Sequence, residues 1–137
     1  MTTREQEIER RIALSETRVT KAVFPPTTNH HNTLFGGTAM AWMDEVSFIA
    51  ATRFCRMPLV TVSTDRIDFK HAIAAGSIVE LVGRVVSVGR TSLKVEVEVF
   101  VESLYREGRE RAITGAFSFV AVDDQQKSTP VLPDFPV

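Results

Sequence analysis

The sequence contains a single cysteine, Cys55, so no disulfide can form within the chain. That excludes a disulfide scaffold and fits a reducing compartment, so a cytoplasmic protein is expected. Long apolar runs are also missing, and nothing approaches the roughly 18–20 apolar residues of a membrane span. The opening Met-Thr-Thr-Arg-Glu-Gln-Glu-Ile-Glu-Arg-Arg has charge but no apolar segment behind it, unlike a secretory signal. Neither sign of charge dominates, since 16 Lys and Arg face 17 Asp and Glu for a net charge of −1. A general nucleic-acid binder would show a basic excess. No internal repeat or low-complexity block is present. What remains, 137 residues at 44% apolar and 24% charged, is the composition of one ordinary globular domain spanning 1–137.

Residues 1–14 are charged, with Ile8, Ile12 and Leu14 as a thin apolar stripe, and predict a short or frayed helical extension. Residues 17–24 alternate as a strand, which Pro25-Pro26 stops by fixing φ and removing ladder donors. Residues 38–54 are helical in pattern, and Ala39, Met43, Val46, Ala50 and Phe54 fall on one stripe. Met40, Trp42, Phe48, Ile49 and Ala51 cover much of the remaining surface, and such a helix is normally buried. Gly36-Gly37 just before it allows a sharp turn. Four strand-like segments follow. Leu59–Phe69 changes apolar phase near Asp65-Arg66, which predicts a bulge. Residues 78–88 turn at Gly89-Arg90 into the clearest alternation of the chain, Leu93, Val95, Val97, Val99 and Val101 against mostly polar neighbours. Glu107-Gly108-Arg109 turns into the last strand, and residues 125–137 are a polar, proline-rich tail. Hairpin connections imply an antiparallel sheet, hence an α+β fold. One curved sheet covers only part of an all-apolar helix, so an oligomer is expected.

The chemistry concentrates in Asn29-His30-His31-Asn32-Thr33-Leu34-Phe35-Gly36-Gly37 and in Asp44-Glu45 on the helix. The first N–H groups of a helix lack internal partners and carry the positive end of its dipole. They can hold a developing oxyanion, and glycine permits close approach. Asp44 has Met40 and Phe48 one turn away, where a carboxylate is costly to bury unless paired, hydrogen-bonded or protonated. From spacing alone two alternatives stand: a site, or a tight connection with Asp44 and Glu45 solvated or paired to Arg53 or Arg66. His30, His31 and His71 do not make a metal set, because adjacent histidines rarely ligate one ion and no further ligand is near.

Asn29 with Gly37 after seven intervening residues, Leu34-Phe35-Gly36-Gly37 and Met40-x-Trp42-Met43-Asp44-Glu45 resemble the hotdog-fold acyl-CoA hydrolases. The similarity is greatest to the YciA-type bacterial enzymes and the cytosolic acyl-CoA thioester hydrolases of animals. Val60-Thr61-Val62-Ser63, Asp65-Arg66-Ile67-Asp68-Phe69, Val88-Gly89-Arg90-Thr91-Ser92, the last strand and Pro130-Val131-Leu132-Pro133 extend the likeness over nearly the whole chain. The resemblance implies a long central helix wrapped by a curved antiparallel sheet. It implies hydrolysis of fatty acyl-CoA, with Asn29 positioning water or the thioester and Asp44 as general base or nucleophile. It further implies Thr61 as support and the Gly37 N–H as oxyanion hole beside Gly36. Asparagine and aspartate of one site would come from two subunits, in a dimer that assembles as a trimer of dimers. Coenzyme A would be part of substrate and product, with no separate cofactor.

By the same resemblance Arg90, Thr91 and Ser92 would meet the nucleotide end, and Arg66 and Lys70 are further basic candidates. Met40, Trp42 and Phe48 are candidate walls for the acyl chain, against an alternative as plain core. Burial of Asp44 among them would raise its pKa. Asn32 stands where many relatives have glycine, His30-His31 is unusual in that loop, and Ala72 replaces a common proline. Rival functions are a hydratase, whose histidine pattern is absent, a non-catalytic acyl-CoA sensor, and a bare structural oligomer. Neither of the last two needs both Asn29 and Asp44.

Overall fold

The alternation in the second half of the chain fixes the inner face of a sheet. Leu93, Val95, Val97 and Val99 are buried, as are Phe117, Phe119 and Ala121 on the neighbouring strand. The computed structural model describes residues 2–137, with the order α1 (Arg4–Ser15), β1 (Thr17–Val23), a short 3-10 turn (Pro25–Thr27), α2 (Gly36–Cys55), β2 (Leu59–Phe69), β3 (Ser77–Val88), β4 (Ser92–Ser103) and β5 (Arg109–Ala121). The strands form one antiparallel sheet in the order β1-β3-β4-β5-β2. β1 and β2 are therefore its edges.

Helix α2 lies across the inner face. Its buried stripe is Ala39, Met43, Val46, Ala50 and Phe54, joined by Ser47 and Ala51. Burying a side chain the size of Val, Met or Phe contributes about 1.5–3 kcal/mol, so this stripe holds helix and sheet together. Two glycines let the helix sit close. A Cβ at Gly83 on β3 would fall 2.9 Å from Val46 Cγ1, and one at Gly115 on β5 would fall 3.1 Å from Met43 Cε. The helix starts at Gly36, two residues earlier than the pattern of apolar side chains suggests. The glycines occupy its first turn, where no intrahelical hydrogen bond is yet required of their N–H groups.

The expected bulge is present as a register shift between Asp65 and Asp68, and a second shift lies between Thr61 and Ser63. That second irregularity leaves no mark in the apolar pattern, because β2 is exposed on both faces over most of its length.

Both ends of the chain are packed. α1 is closed by a capping box in which Thr3 accepts from the Gln6 N–H and Gln6 reaches back to the Thr3 N–H. Ile8 and Ile12 rest against the core. Glu7 on the same helix is buried and accepts from Arg11 at 2.8 Å and Arg10 at 3.1 Å. The Arg11 hydrogen bond holds the Glu7 carboxyl below its ordinary range against the opposing effect of burial, with help from the Arg10 and Arg11 charges. Arg11 also donates to the Phe54 carbonyl at the end of α2. At the other end, Val131 and Leu132 are buried in the core, and Val131 N–H donates to the Arg90 carbonyl. The polar composition after residue 125 hides these two apolar anchors.

Candidate active site

The loop before α2 is tied to itself and to residues 73–75. Asn29 N–H donates to the Thr33 carbonyl, Asn32 N–H returns to the Asn29 carbonyl, and Leu34 N–H donates to the Ile73 carbonyl. Asn32 has φ 62°, a left-handed conformation that asparagine tolerates better than most side chains. Asparagine therefore suits the turn at this position.

The side chain of Asn29 closes this loop. Its Oδ1 accepts from His31 N–H at 2.9 Å, Thr33 N–H at 3.2 Å and Thr33 Oγ1 at 3.1 Å. Two backbone donors fix which end of the amide faces inward, because only the oxygen can accept from them. The Nδ2 group is thereby left as a donor with no bond among the described residues. Thr33 was not singled out by its sequence; an asparagine followed by turn residues and a hydroxyl is the only signal it leaves.

The N-terminus of α2 follows directly. Phe35 occupies the capping position and supplies no side-chain oxygen. The first helical bond is donated by Ala39 N–H to the Phe35 carbonyl, so Gly36, Gly37 and Thr38 keep unpaired N–H groups among the described residues. Gly36 and Gly37 are exposed, and a Cβ built at Gly37 meets no atom within 4 Å. Beside Gly36 lies a cavity of about 280 Å³, lined by Thr33, Leu34, Ala39, Phe69, Ile73 and Ile113, with Lys70 and His71 at the end of β2. Met40, Trp42 and Phe48, candidates for acyl walls or plain core, do not line it. Met40 and Phe48 are instead 42% and 46% exposed on α2, and Trp42 is half-buried with the Lys21 ammonium over its ring.

Asp44 is exposed rather than buried, so within one chain the desolvation expected from Met40 and Phe48 is not supplied. Neither Asp44 nor Glu45 makes an ion pair among the described residues; Arg66 pairs with Asp68 at 3.0 Å, and Arg53 donates to Thr17. Gly37, Met40, Ala41, Asp44, Glu45 and Phe48 form one exposed face of the helix. Seven residues make two turns less about 20°, so Gly37 and Asp44 share that face. They are separated along the axis by roughly 10 Å at 1.5 Å per residue.

Thr61 pairs with Phe119 across β2 and β5, and residues directly opposed point to the same face. The Phe119 ring meets Phe48 at 6.5 Å, one turn beyond Asp44. Thr61 thus faces the helix near the middle of α2. The Arg90-Thr91-Ser92 hairpin is elsewhere. Ser92 pairs with Val120 and Phe69 with Ile113, so the hairpin and the Lys70 cavity lie at opposite ends of β5, about seven residues or roughly 23 Å apart. One chain therefore gathers Asn29, Gly36, Gly37 and Lys70 at one end, Asp44 and Arg66 along the middle, and Thr61 with Arg90, Thr91 and Ser92 towards the other. No group of three or more His, Cys, Asp or Glu that would hold a metal occurs among the described residues. No described helix is long and apolar enough to cross a membrane.

A long helix cradled by a curved, five-stranded antiparallel sheet, with a polar loop delivered to the helix N-terminus, is the hotdog architecture. The model of the thioesterase superfamily matches residues 31–106. The chain belongs to that superfamily. It is 44% identical over 112 residues to a Bacillus subtilis protein named as an uncharacterized acyl-CoA thioester hydrolase, covering 82% of this chain and 65% of that relative. The chain thus spans just under two thirds of that relative's length. A Staphylococcus aureus acyl-CoA hydrolase, solved with butyryl coenzyme A and coenzyme A, superposes with a TM-score of 0.83 at 35% identity, covering 87% of this chain and 73% of the other. The hexameric thioesterase of Yersinia pestis superposes with a TM-score of 0.75 at 31% identity, covering 82% and 91%.

Proposed function

We propose that this chain hydrolyses fatty acyl-CoA thioesters to free acid and coenzyme A. The observation that carries the proposal is the uncapped start of α2: unpaired N–H groups on exposed glycines, beside a cavity and a loop that holds Asn29. Thioester hydrolysis needs an activated water and a place for carbonyl charge. The Gly37 N–H, with the helix dipole behind it, stabilises the oxyanion. Asn29 Nδ2, the free end of a locked amide, donates to the thioester or to the attacking water. Asp44 acts as general base or nucleophile, and Thr61 supports it from β2. Arg90, Thr91 and Ser92 take the nucleotide end, with Arg66 and Lys70 as further basic contacts. Coenzyme A is part of substrate and product, and a reducing cytoplasm suits the unpaired Cys55.

The complete site takes its parts from two chains. An oxyanion donor acts on the carbonyl oxygen and a general base on the neighbouring attacking water. Asp44 facing the Gly37 of a second helix brings the two closer than their roughly 10 Å axial separation within one helix. Met40, Phe48, Val62 and Phe69 are 42–55% exposed, a face suited to association. A dimer is the minimal unit, assembled as a trimer of dimers. The second subunit also supplies the desolvation that Asp44 lacks in one chain.

The test is thiol release from a panel of acyl-CoAs, with wild type beside Asp44→Asn. Turnover that collapses by orders of magnitude in the variant, with the oligomer intact, is the expected result. Equal turnover in both removes Asp44 from the mechanism. Tight acyl-CoA binding without hydrolysis would make the chain a sensor.

A further inference from the structure

We infer that Arg4 is a positioning residue for the nucleotide end of the substrate, an inference that rests on the hydrolase function proposed above. Arg4 opens α1, yet its guanidinium is spent on two distant carbonyls. Nε donates to the Phe135 carbonyl at 3.1 Å and Nη2 to the Gly89 carbonyl at 2.8 Å. One planar fork therefore joins the start of α1, the β3–β4 hairpin and the C-terminal segment. That segment grips the same hairpin independently, through Val131 N–H to the Arg90 carbonyl at 2.9 Å. It is rooted by the buried Val131 and Leu132.

Between these parts is a cavity of about 250 Å³. Arg4 and Arg90 line it together with Leu132, Phe135, Val137 and three prolines, and no acidic side chain does. An apolar slot with an aromatic residue and the Arg90 cation suits a flat base carrying phosphates, which stacks on the one and pairs with the other. The cavity adjoins Arg90-Thr91-Ser92. The fork fixes where that hairpin stands relative to the slot. Lysine cannot replace it fully, since a single ammonium has no planar fork to present to two carbonyls at once.

The experiment compares an acyl-CoA with the same acyl group carried on pantetheine, which lacks the nucleotide. In Arg4→Ala, KM for the acyl-CoA should rise about tenfold, the scale of one hydrogen bond from a charged group. The kcat should hold, and KM for the pantetheine thioester should stay within about twofold. Arg4→Lys should fall between wild type and Arg4→Ala. An unchanged KM for acyl-CoA overturns the inference, as does an equal rise for both thioesters, which would mark a merely structural role. If Arg4→Ala does not assemble, Arg4→Lys carries the comparison. Calorimetry with coenzyme A separates the two proposals. If wild type hydrolyses neither thioester, the hydrolase proposal fails alone, and an affinity for coenzyme A weaker in Arg4→Ala by about tenfold still sustains the role of Arg4. Equal affinity, or no binding by wild type, overturns it.

Discussion

Gly37→Ala separates chemistry from folding at one methyl group. A Cβ at this position meets no atom of the chain within 4 Å, and φ lies outside the left-handed region. Alanine is therefore accepted without strain in the folded chain. In a helix interior the exchange of glycine for alanine stabilises by about 1 kcal/mol, and the first turn should return about half of that. For a chain of this size that is an increase in Tm of roughly 2 °C. The same methyl stands where the carbonyl oxygen must approach the Gly37 N–H. Alanine keeps the N–H and acts only by holding the oxygen away from it, so the cost of about 100-fold to 1,000-fold in kcat for losing one oxyanion donor is the ceiling. The expected variant is thus slightly more stable and about tenfold to 100-fold slower. Scanning calorimetry and thiol release on the same preparation read both quantities, with the oligomer checked by light scattering. A kcat within about threefold of wild type would refute the oxyanion role. A drop of several degrees in Tm would refute the claim that space in front of Gly37 is free of packing.

Other outcomes follow from the same geometry. Asn29→Ala and Asp44→Asn, each inactive alone, should regain part of the activity when mixed and reassembled; no recovery despite demonstrated subunit exchange would mean that one chain carries a whole site. Gly83→Ala should destabilise by about 1–3 kcal/mol, because the new Cβ meets Val46 Cγ1 at 2.9 Å and the Val46 carbonyl at 3.3 Å, and a helix on a packed core does not shift freely. Urea unfolding at least as resistant as wild type would contradict that. Glu7 has a folded pKa held below its ordinary 4.5, so its stabilising effect is complete above that value and fades as pH falls through the lower folded one. The Tm gap between wild type and Glu7→Gln should be constant from pH 7 to about 5 and narrow as pH falls below 4.5. A gap that does not narrow on acidification below 4.5 would show that the Arg10 and Arg11 contacts are not its source.

The elements legible in the sequence are those whose side chains obey a period. The buried stripe of α2 from Ala39 to Phe54 and the alternation from Leu93 to Val99 both survive in the structure, because each faces a single core. What the sequence concealed has other causes. The two-residue extension of α2 into Gly36-Gly37 has no apolar mark, since a first turn needs none. The shift after Thr61 lies in an edge strand exposed on both faces, where no burial pattern can record it. Val131 and Leu132 anchor a segment whose other residues are polar or proline. At the site, Asn29, Gly36 and Gly37 are visible as unusual residue types, whereas Thr33 and Arg4 act through particular hydrogen bonds that no spacing encodes. The apolar neighbours of Asp44 leave a buried and a solvated place both open in the sequence, and because Met40 and Phe48 are themselves exposed the solvated one holds within one chain.

The lock on Asn29 bears on the shape of ligands. An amide side chain ordinarily offers both polarities, and a ligand can meet it with either a donor or an acceptor. Here three protein donors consume the oxygen, and only the amine half faces outward. A compound that places a ketone, sulfoxide or ether oxygen at this point gains a hydrogen bond. A compound that places an amide N–H or an ammonium there sets two donors against each other. A fragment series differing only in that atom should therefore rank acceptors above donors, and a carboxamide should bind through its oxygen alone.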